Sequence, residues 1–159
     1  MTSAAIQKHF TLELHTELSD GTRILVRTLR PDDKSELLKG FAQLSRVSRR
    51  FRFLSPIRKL SEKQLSLLTN VDQVNHVAIA ARDLDDPSQP GIGVARFLRL
   101  EQDPSVAEFA ITVIDGYQHR GLGTLLLELL LKAAQVLSVR TLRGYLLEDN
   151  VAMIRLLDK

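Results

Sequence analysis

The 159-residue chain contains no cysteine. This absence excludes disulfide bonds, cysteine-ligated zinc, iron–sulfur clusters and a thiol nucleophile. It also permits a reducing setting, so we expect a cytoplasmic protein. The four histidines, at positions 9, 15, 76 and 119, show no spacing typical of metal ligands, and no bound metal is expected.

Long hydrophobic runs are also missing. The most apolar stretch, residues 122–137, is interrupted by Glu128, Lys132 and Gln135, and it is shorter than the roughly 20 residues that a membrane-spanning helix needs. The N-terminus lacks the charged-then-apolar pattern of a signal peptide. We therefore predict that residues 122–137 form a buried core helix, and we expect no membrane partner.

The remaining composition is that of a globular domain. Hydrophobic residues make up 44% and charged residues 26% of the chain, which excludes disordered, collagen-like and coiled-coil classes. The length suits one domain with a sizeable core. No internal repeat and no low-complexity linker divides it.

The net charge of +3 arises mainly from one basic stretch, residues 46–59, which contains no acid and six basic side chains: Arg46, Arg49, Arg50, Arg52, Arg58 and Lys59. Such a stretch could attract phosphates or an acidic partner, or it could be a solvated loop and helix end. Phe51 and Phe53 alternate with arginines, which could form a stacking surface for nucleic acid. A strand with inward phenylalanines explains the alternation equally well, so we do not expect nucleic acid as a partner.

Hydrophobic periodicity and turn residues predict ten elements. An N-terminal hairpin covers about residues 10–30, with an Asp-Gly turn at 20–21. The next elements are helices at 34–44 and 61–69, strands at 76–81, 91–100 and 106–114, a helix at 121–137, a strand at 141–147 and a final helix capped by Asp149 or Asn150. This order predicts an α/β (α+β) fold with a mixed, mostly antiparallel sheet flanked by helices.

One segment, residues 111–124, carries chemical information. A strand leads through a glycine-containing turn into a long apolar helix, whose first N–H groups lack internal partners and carry partial positive charge. Gly121 and Gly123 allow a ligand to approach the backbone closely. Arg120 adds a full positive charge, and neighbouring polar side chains can donate hydrogen bonds. The segment therefore predicts a phosphate or pyrophosphate site.

Two common phosphate motifs fit this segment poorly. A Walker loop needs a lysine before the hydroxyl residue, but Thr124 follows Gly123. A dinucleotide fingerprint needs a third glycine at position 126, which is leucine, and it belongs in an early parallel βαβ unit. Gly91 and Gly93 share the Gly-x-Gly spacing, yet they begin a strand, where a bulge is the better explanation.

The longer pattern Gln118-x-x-Gly121-x-Gly123, with Val113 five residues upstream, resembles the acetyl-CoA signature of the GNAT superfamily of N-acetyltransferases. The order of elements is also similar to that fold over about residues 23–157. The resemblance implies a single acetyltransferase domain across residues 1–159, with its cofactor signature at 108–137. It implies acetyl-CoA as the acyl donor and an amine as the acceptor.

Shorter matches resemble the acetyltransferase domain of bacterial protein-lysine acetyltransferases. They are the hairpin Leu-x-Asp-Gly-Thr-Arg at 18–23 and the stretches 29–33, 48–53, 59–63 and 107–110. This narrower resemblance makes a protein lysine one candidate acceptor beside small-molecule amines.

The GNAT resemblance also implies roles for individual residues. Backbone groups of Ile111 and Val113 would hold the pantetheine arm, and Asn150 would bond the same arm unless it only caps the last helix. Glu108 would act as general base for direct attack of the amine on the thioester, unless it merely faces solvent. The pyrophosphate would lie on the N–H groups of Gln118, His119, Arg120, Gly121, Leu122, Gly123 and Thr124.

The sequence departs from the family pattern in two respects. Residues 150–159 contain no tyrosine, so the general acid is open, and the chain has only Tyr117 and Tyr145. Family members continue after the last helix into two further strands, so we expect a truncated C-terminal end. The strand at 141–147 would then have a bare edge, which could form a homo-oligomer contact. These departures leave a non-catalytic acyl-CoA-binding regulatory module as the alternative.

Overall fold

The computed structural model describes residues 8–159 of the chain. The strands are β1 (Glu13–Glu17), β2 (Arg23–Thr28), β3 (His76–Asp83), β4 (Gly93–Arg99), β5 (Val106–Val113) and β6 (Thr141–Arg143). The helices are α1 (Lys34–Ala42), α2 (Arg46–Phe53), α3 (Glu62–Thr69), α4 (Leu122–Val136) and α5 (Val151–Leu157). Short 3-10 turns occupy Pro31–Asp33 and Asp115–Tyr117.

The strands form one sheet in the order β1-β2-β3-β4-β5-β6. The first five are antiparallel neighbours, and β6 runs parallel to β5. This arrangement confirms the mixed, mostly antiparallel sheet predicted from the sequence. The hairpin at the N-terminus and the three central strands also lie where their apolar alternation and turns placed them.

Helix α4 packs on one face of the sheet and is the buried core helix that the sequence predicted. Its apolar residues recur at helical spacing, so Leu122, Leu126 and Leu130 lie on one stripe and are essentially inaccessible. They meet the inward side chains of the strands, including Ile24, Ile79 and Phe97. Within residues 8–159, no helix is long and apolar enough to cross a membrane.

Helices α1, α2 and α3 follow one another between β2 and β3, on the other side of the sheet from α4. This side is more polar. Arg27 of β2 forms a double hydrogen bond with Asp33, with both distances at 2.8 Å, and Arg96 of β4 is buried. The predicted capping box at the start of α3 is present, because Ser61 and Gln64 satisfy each other's backbone N–H groups.

Two elements differ from the sequence prediction. Residues 46–53 form helix α2, so the strand-like interpretation of the Phe/Arg alternation was wrong. The Ser45 side chain accepts a hydrogen bond from the Ser48 N–H and starts this helix. Strand β6 has three residues rather than seven, because the chain turns away from β5 at Gly144.

Candidate active site

A cleft opens where β5 and β6 separate. The two strands pair only from Val106 to Glu108 on β5. Beyond this point the Phe109 ring fills the space beside Gly144, where an added Cβ would lie 2.7 Å from a ring carbon. The resulting cleft has a volume of about 830 Å³. Its walls are the end of β5, the turn before α4, helix α2, the segment after β6 and helix α5.

The open edge of β5 offers unpaired backbone groups to this cleft. The Val106 carbonyl accepts from Leu100, and the Ile114 N–H donates to Ile92, so the even-numbered residues of β5 bond to β4. The amides and carbonyls of the odd-numbered residues then point the other way. Past the short pairing with β6, the Phe109 carbonyl, both backbone groups of Ile111 and the Val113 N–H group face the cleft. The Val113 carbonyl accepts from the Gln118 side chain at 3.0 Å.

The turn before α4 presents a run of free donors. None of the six N–H groups of residues 119–124 donates a hydrogen bond within the described part of the chain. The first internal bond of the helix is donated by Leu125 to the Gly121 carbonyl, at 3.1 Å. Residues 122–124 are therefore the orphan donors of a helix N-terminus, and residues 119–121 extend them into the turn.

The backbone angles of this turn orient the donors toward one side. His119 and Gly121 both have positive φ, 64° and 85°. A run of N–H groups interrupted by left-handed residues forms a concave nest that suits an anion. Glycine adopts this conformation at little cost, whereas histidine does so with some strain.

The cleft brings together most of the cofactor-binding residues that the sequence suggested. Those that line it are Ile111, Val113, Gln118, His119, Gly121, Gly123, Thr124 and Asn150. Two side chains lie elsewhere. Leu122 is buried in the core at 1% exposure, and Arg120 forms an ion pair of 3.3 Å with Asp20 and stacks on Tyr117. Both contribute a backbone N–H group to the turn.

Gln118 has a different position from that expected of a phosphate donor. Its backbone N–H donates to the Asp115 carbonyl at 3.3 Å. Its side-chain Nε2 donates to the Val113 carbonyl at 3.0 Å and to the Ser48 hydroxyl at 3.3 Å. Gln118 therefore ties the end of β5, the turn and helix α2 together.

Asn150 caps α5 and still faces the cleft. Its Oδ1 accepts from the Met153 N–H at 3.2 Å, as the N-cap interpretation expects. The residue is 7% exposed, and its Nδ2 group has no hydrogen-bond acceptor among the described residues. One residue can thus cap the helix and donate to a ligand. The adjacent Asp149 forms an ion pair with Arg50 of α2.

Glu108 lies at the margin of this arrangement. Its carboxylate accepts from Arg143 at 3.2 Å, and the side chain is 43% exposed. It is three residues before Ile111 on the same strand, but it does not line the cleft. As an even-numbered residue, it projects from the face of β5 opposite to that of Ile111.

Helix α2 forms a wall of the cleft that the sequence did not predict, and Val47, Ser48, Phe51 and Arg52 line it. Asp115 anchors the helix, since it accepts from the Ser45 N–H at 2.9 Å and from the Ser48 hydroxyl at 3.1 Å. Burial alone would raise the pKa of Asp115, but these hydrogen bonds lower it below its ordinary value. The Ser45-x-x-Ser48 spacing was the available sequence signal.

The two tyrosines have different environments. The Tyr117 hydroxyl donates to Asp83 at 2.6 Å, and burial together with this bond raises the pKa of Tyr117 to about 12. Tyr145 follows β6, is 61% exposed and lines the cleft. Between residues 8 and 159, no group of three or more histidine, aspartate or glutamate side chains is placed to hold a metal ion.

Comparison with known proteins identifies relatives of this chain. The family model for the acetyltransferase (GNAT) domain matches residues 23–159. Acetyltransferase Pat of Mycolicibacterium smegmatis is 30% identical over 150 residues, which are 94% of this chain and 44% of that protein. Acetyltransferase PA5475 of Pseudomonas aeruginosa is 30% identical over 118 residues, covering 74% of this chain and 63% of that protein.

A solved structure agrees with these matches. The crystal structure of the GNAT domain of S. lividans PAT superposes with a TM-score of 0.85 at 29% identity, covering 92% of this chain and 85% of that one. The chain thus spans less than two thirds of the length of the two curated relatives, but most of the solved domain.

Proposed function

The chain belongs to the GNAT family of acetyltransferases, and we propose that it transfers the acetyl group of acetyl-CoA directly to an amine. The observation that carries this proposal is the run of six unbonded N–H groups, residues 119–124, beside the open edge of β5. A pyrophosphate needs such a cluster of donors, and an extended amide-containing arm needs a strand edge with free backbone groups. The cleft provides both next to each other.

The residues of the cleft fit acetyl-CoA, which supplies the acetyl thioester when it is bound. The N–H groups of residues 119–124 would hold its pyrophosphate. Backbone groups of Ile111 and Val113 would hold the pantetheine arm along β5. The Asn150 Nδ2 group would donate to the same arm from the opposite wall.

We propose Glu108 as the general base. Because its side chain lies outside the cleft lining, it would accept the proton of the amine through an intervening water. The amine nitrogen then bonds to the acetyl carbon, and the bond from that carbon to sulfur breaks. The carboxylate also forms an exposed ion pair with Arg143, which contributes little to its position.

The thiolate that leaves requires a proton. We propose Tyr145 as the donor, because it lines the cleft, whereas the hydroxyl of Tyr117 is held by Asp83. No cysteine is present to form an acyl-enzyme, which agrees with direct transfer.

The acceptor is an amine, and we propose a protein lysine on the strength of the resemblance to protein-lysine acetyltransferases and the similarity to proteins named acetyltransferase Pat. A homo-oligomer contact along β6 and a cytoplasmic location stay predictions.

A transfer assay tests this function. Free CoA is measured by thiol reaction while the protein is incubated with acetyl-CoA and a panel of amines, free lysine and lysine-containing peptides. In parallel, thermal unfolding is followed with acetyl-CoA, ATP and NAD, since only a ligand of the native state raises the midpoint. We expect acetyl-CoA alone to stabilise and at least one amine to release CoA. Stabilisation without release over the whole panel would favour the non-catalytic acyl-CoA-binding module instead.

A further inference from the structure

A second cavity lies between the sheet and helices α1 to α3, with a volume of about 100 Å³. Most of its wall is apolar and comes from Leu29, Leu37, Phe41, Phe53, Leu60 and Leu68. Four arginines also line it. Arg27 is paired with Asp33 and Arg82 is exposed, which leaves Arg52 and Arg96. Arg52 and Thr112 belong to the walls of both the cavity and the cleft, so the two spaces meet there.

Arg96 is 7% exposed, and no carboxylate of residues 8–159 forms an ion pair with it. Its Nη1 group donates to the Leu68 carbonyl at 2.8 Å and meets the His76 Nε2 at 3.1 Å. Since the guanidinium can only donate, the imidazole nitrogen must be the acceptor and His76 must be neutral. Two neutral partners therefore leave the charge of Arg96 uncompensated.

Arg52 has even fewer partners. Among residues 8–159 it forms no hydrogen bond and no ion pair, and its guanidinium lies 4.8 Å from the centre of the Phe53 ring. Residues 1–7, which lie outside the described part, contain no acidic side chain. No acid of the chain therefore neutralises Arg52.

The two acids at the cavity wall are already engaged. Asp33 accepts two bonds from Arg27 and one from the Arg30 N–H. Glu36 accepts from the Gly91 N–H at 3.2 Å and lies 3.9 Å from Lys39. The end of the cavity that contains Arg52 and Arg96 is thus positively charged.

Arg96 is buried, and Arg52 is half-buried where the cavity meets the cleft. Water screens the repulsion between two such like charges only in part, so an anion between them would be favourable. Burial lowers the pKa of Arg52 to about 10. Burial, and in second place the charge of Arg52, lowers the pKa of Arg96 to about 9. Both groups remain charged at neutral pH. A carboxylate can accept paired hydrogen bonds from a guanidinium, so it matches this site in both charge and shape.

We propose that this cavity binds a carboxylate of the acetyl acceptor between Arg52 and Arg96, so that the acceptor is an amine that also carries a carboxylate. The proposal rests on the proposed acetyl transfer. The junction at Arg52 and Thr112 lets an acceptor held in the cavity extend its amine toward the cleft. The carboxylate could be that of a free amino acid or that of an acidic residue beside an acceptor lysine.

Matched acceptor pairs test the proposal. Transfer is compared between L-lysine and L-lysinamide, and between two peptides whose single lysine is followed by glutamate or by glutamine. We expect kcat/KM to be at least about tenfold higher for the carboxylate member of one pair, since a charged hydrogen-bonded partner is lost in the other member. The pair that shows the preference identifies the source of the carboxylate. The Arg52→Met variant should abolish this preference, whereas Arg46→Gln, an exposed position on the same helix, should retain it.

Equal rates within both pairs, or a preference that persists in Arg52→Met, would overturn the proposal. A calorimetric titration of the wild-type protein and both variants with L-lysine and L-lysinamide covers the case in which no amine is acetylated. Acetyl-CoA binding without any transfer would contradict the proposed function. The calorimetric titration would then decide whether the carboxylate site exists. Binding of L-lysine that needs Arg52, without binding of the amide, supports the site. No such difference overturns it.

Discussion

At the scale of single residues, Gly121 has the clearest requirement. Its φ of 85° lies in the left-handed region, and an added Cβ would meet nothing within 4 Å. Only backbone strain, and not a clash, therefore opposes a side chain at this position. Gly121 is therefore required for its backbone conformation and not for packing.

We predict that Gly121→Ala lowers the free energy of unfolding by about 1 kcal/mol, the usual cost of a left-handed residue with a Cβ. It should also weaken acetyl-CoA binding by roughly tenfold, or about 1.4 kcal/mol, because the donors of the turn lose their common direction. Urea unfolding and calorimetry measure the two effects. Gly116→Ala is the control, since that glycine has no positive φ and no neighbour within 4 Å. Unchanged affinity in Gly121→Ala would contradict the anion nest.

Glu108 is the residue on which the proposed chemistry depends. Glu108→Gln keeps the shape of the side chain and removes the base, so we predict a fall in kcat of about 100-fold or more with acetyl-CoA affinity retained. Arg143→Gln breaks the same ion pair but keeps the carboxylate, and it should retain most of the activity. Steady-state kinetics and a binding titration check both variants, and full turnover by Glu108→Gln would exclude the residue as base.

At the scale of elements, helix α2 is the main difference between the sequence prediction and the structure. The segment Arg50-Phe51-Arg52-Phe53 alternates like a strand, but its side chains diverge by about 100° per residue in a helix. Phe53 packs on Phe41, Phe51 lines the cleft, and Arg50 and Arg52 point in different directions. The periodicity of four residues cannot distinguish a strand from a helix. Tertiary contacts, above all those of Asp115, decide the outcome.

Asp115 couples this helix to the turn, and its loss should affect both elements. We predict that Asp115→Ala lowers the free energy of unfolding by about 1 kcal/mol, because hydrogen bonds to an exposed charge contribute modestly. Amide exchange in residues 46–53 should become faster, and acetyl-CoA should bind more weakly. Hydrogen–deuterium exchange with mass spectrometry measures the first effect.

Asp103→Ala is a matched control. Asp103 also accepts from a serine N–H and a serine hydroxyl, both of Ser105, but it lies far from the cleft in the loop before β5. Its loss should leave the exchange of α2 and the affinity for acetyl-CoA unchanged. If both variants behaved alike, the coupling of α2 to the turn would be refuted.

At the scale of the whole molecule, the buried His76 links stability to pH. Burial and the neighbouring Arg96 lower the pKa of His76 to about 4, below its usual value of about 6.5. The unfolded chain therefore takes up a proton as the pH falls below 6.5, while the native protein does not until about 4. As the pH falls from 6.5 to 4, the free energy of unfolding should therefore decrease, by at most about 1.4 kcal/mol per pH unit.

The variant His76→Gln keeps a hydrogen-bond acceptor for Arg96 and cannot titrate. We predict that it loses the part of the pH dependence that lies between pH 6.5 and 4. Urea unfolding of both proteins at several pH values measures this difference. Parallel curves for the two proteins over that range would show that His76 is not the titrating group.

How far the sequence anticipates the molecule depends on the range of the interactions. The core face of α4 and the turn at Gly121 follow from local periodicity and backbone preference, so sequence reasoning finds them. The wall formed by α2 and the charged cavity at Arg52 and Arg96 depend on contacts between residues far apart in the chain. The spacing of Glu108 from Ile111 on β5 can be read from the sequence. The position of its side chain outside the cleft lining cannot, because that depends on tertiary structure.

The most direct test of acetyl-CoA binding is a titration followed by amide chemical shifts in a 15N-labelled sample. The structure predicts saturable shifts at the N–H groups of residues 119–124 and of Ile111 and Val113. ATP, which has phosphates but no pantetheine arm, should leave Ile111 and Val113 unshifted. No saturable shift with acetyl-CoA, or shifts confined to the exposed residues Arg46, Arg58 and Lys59, would contradict the assignment of this cleft as the acetyl-CoA site.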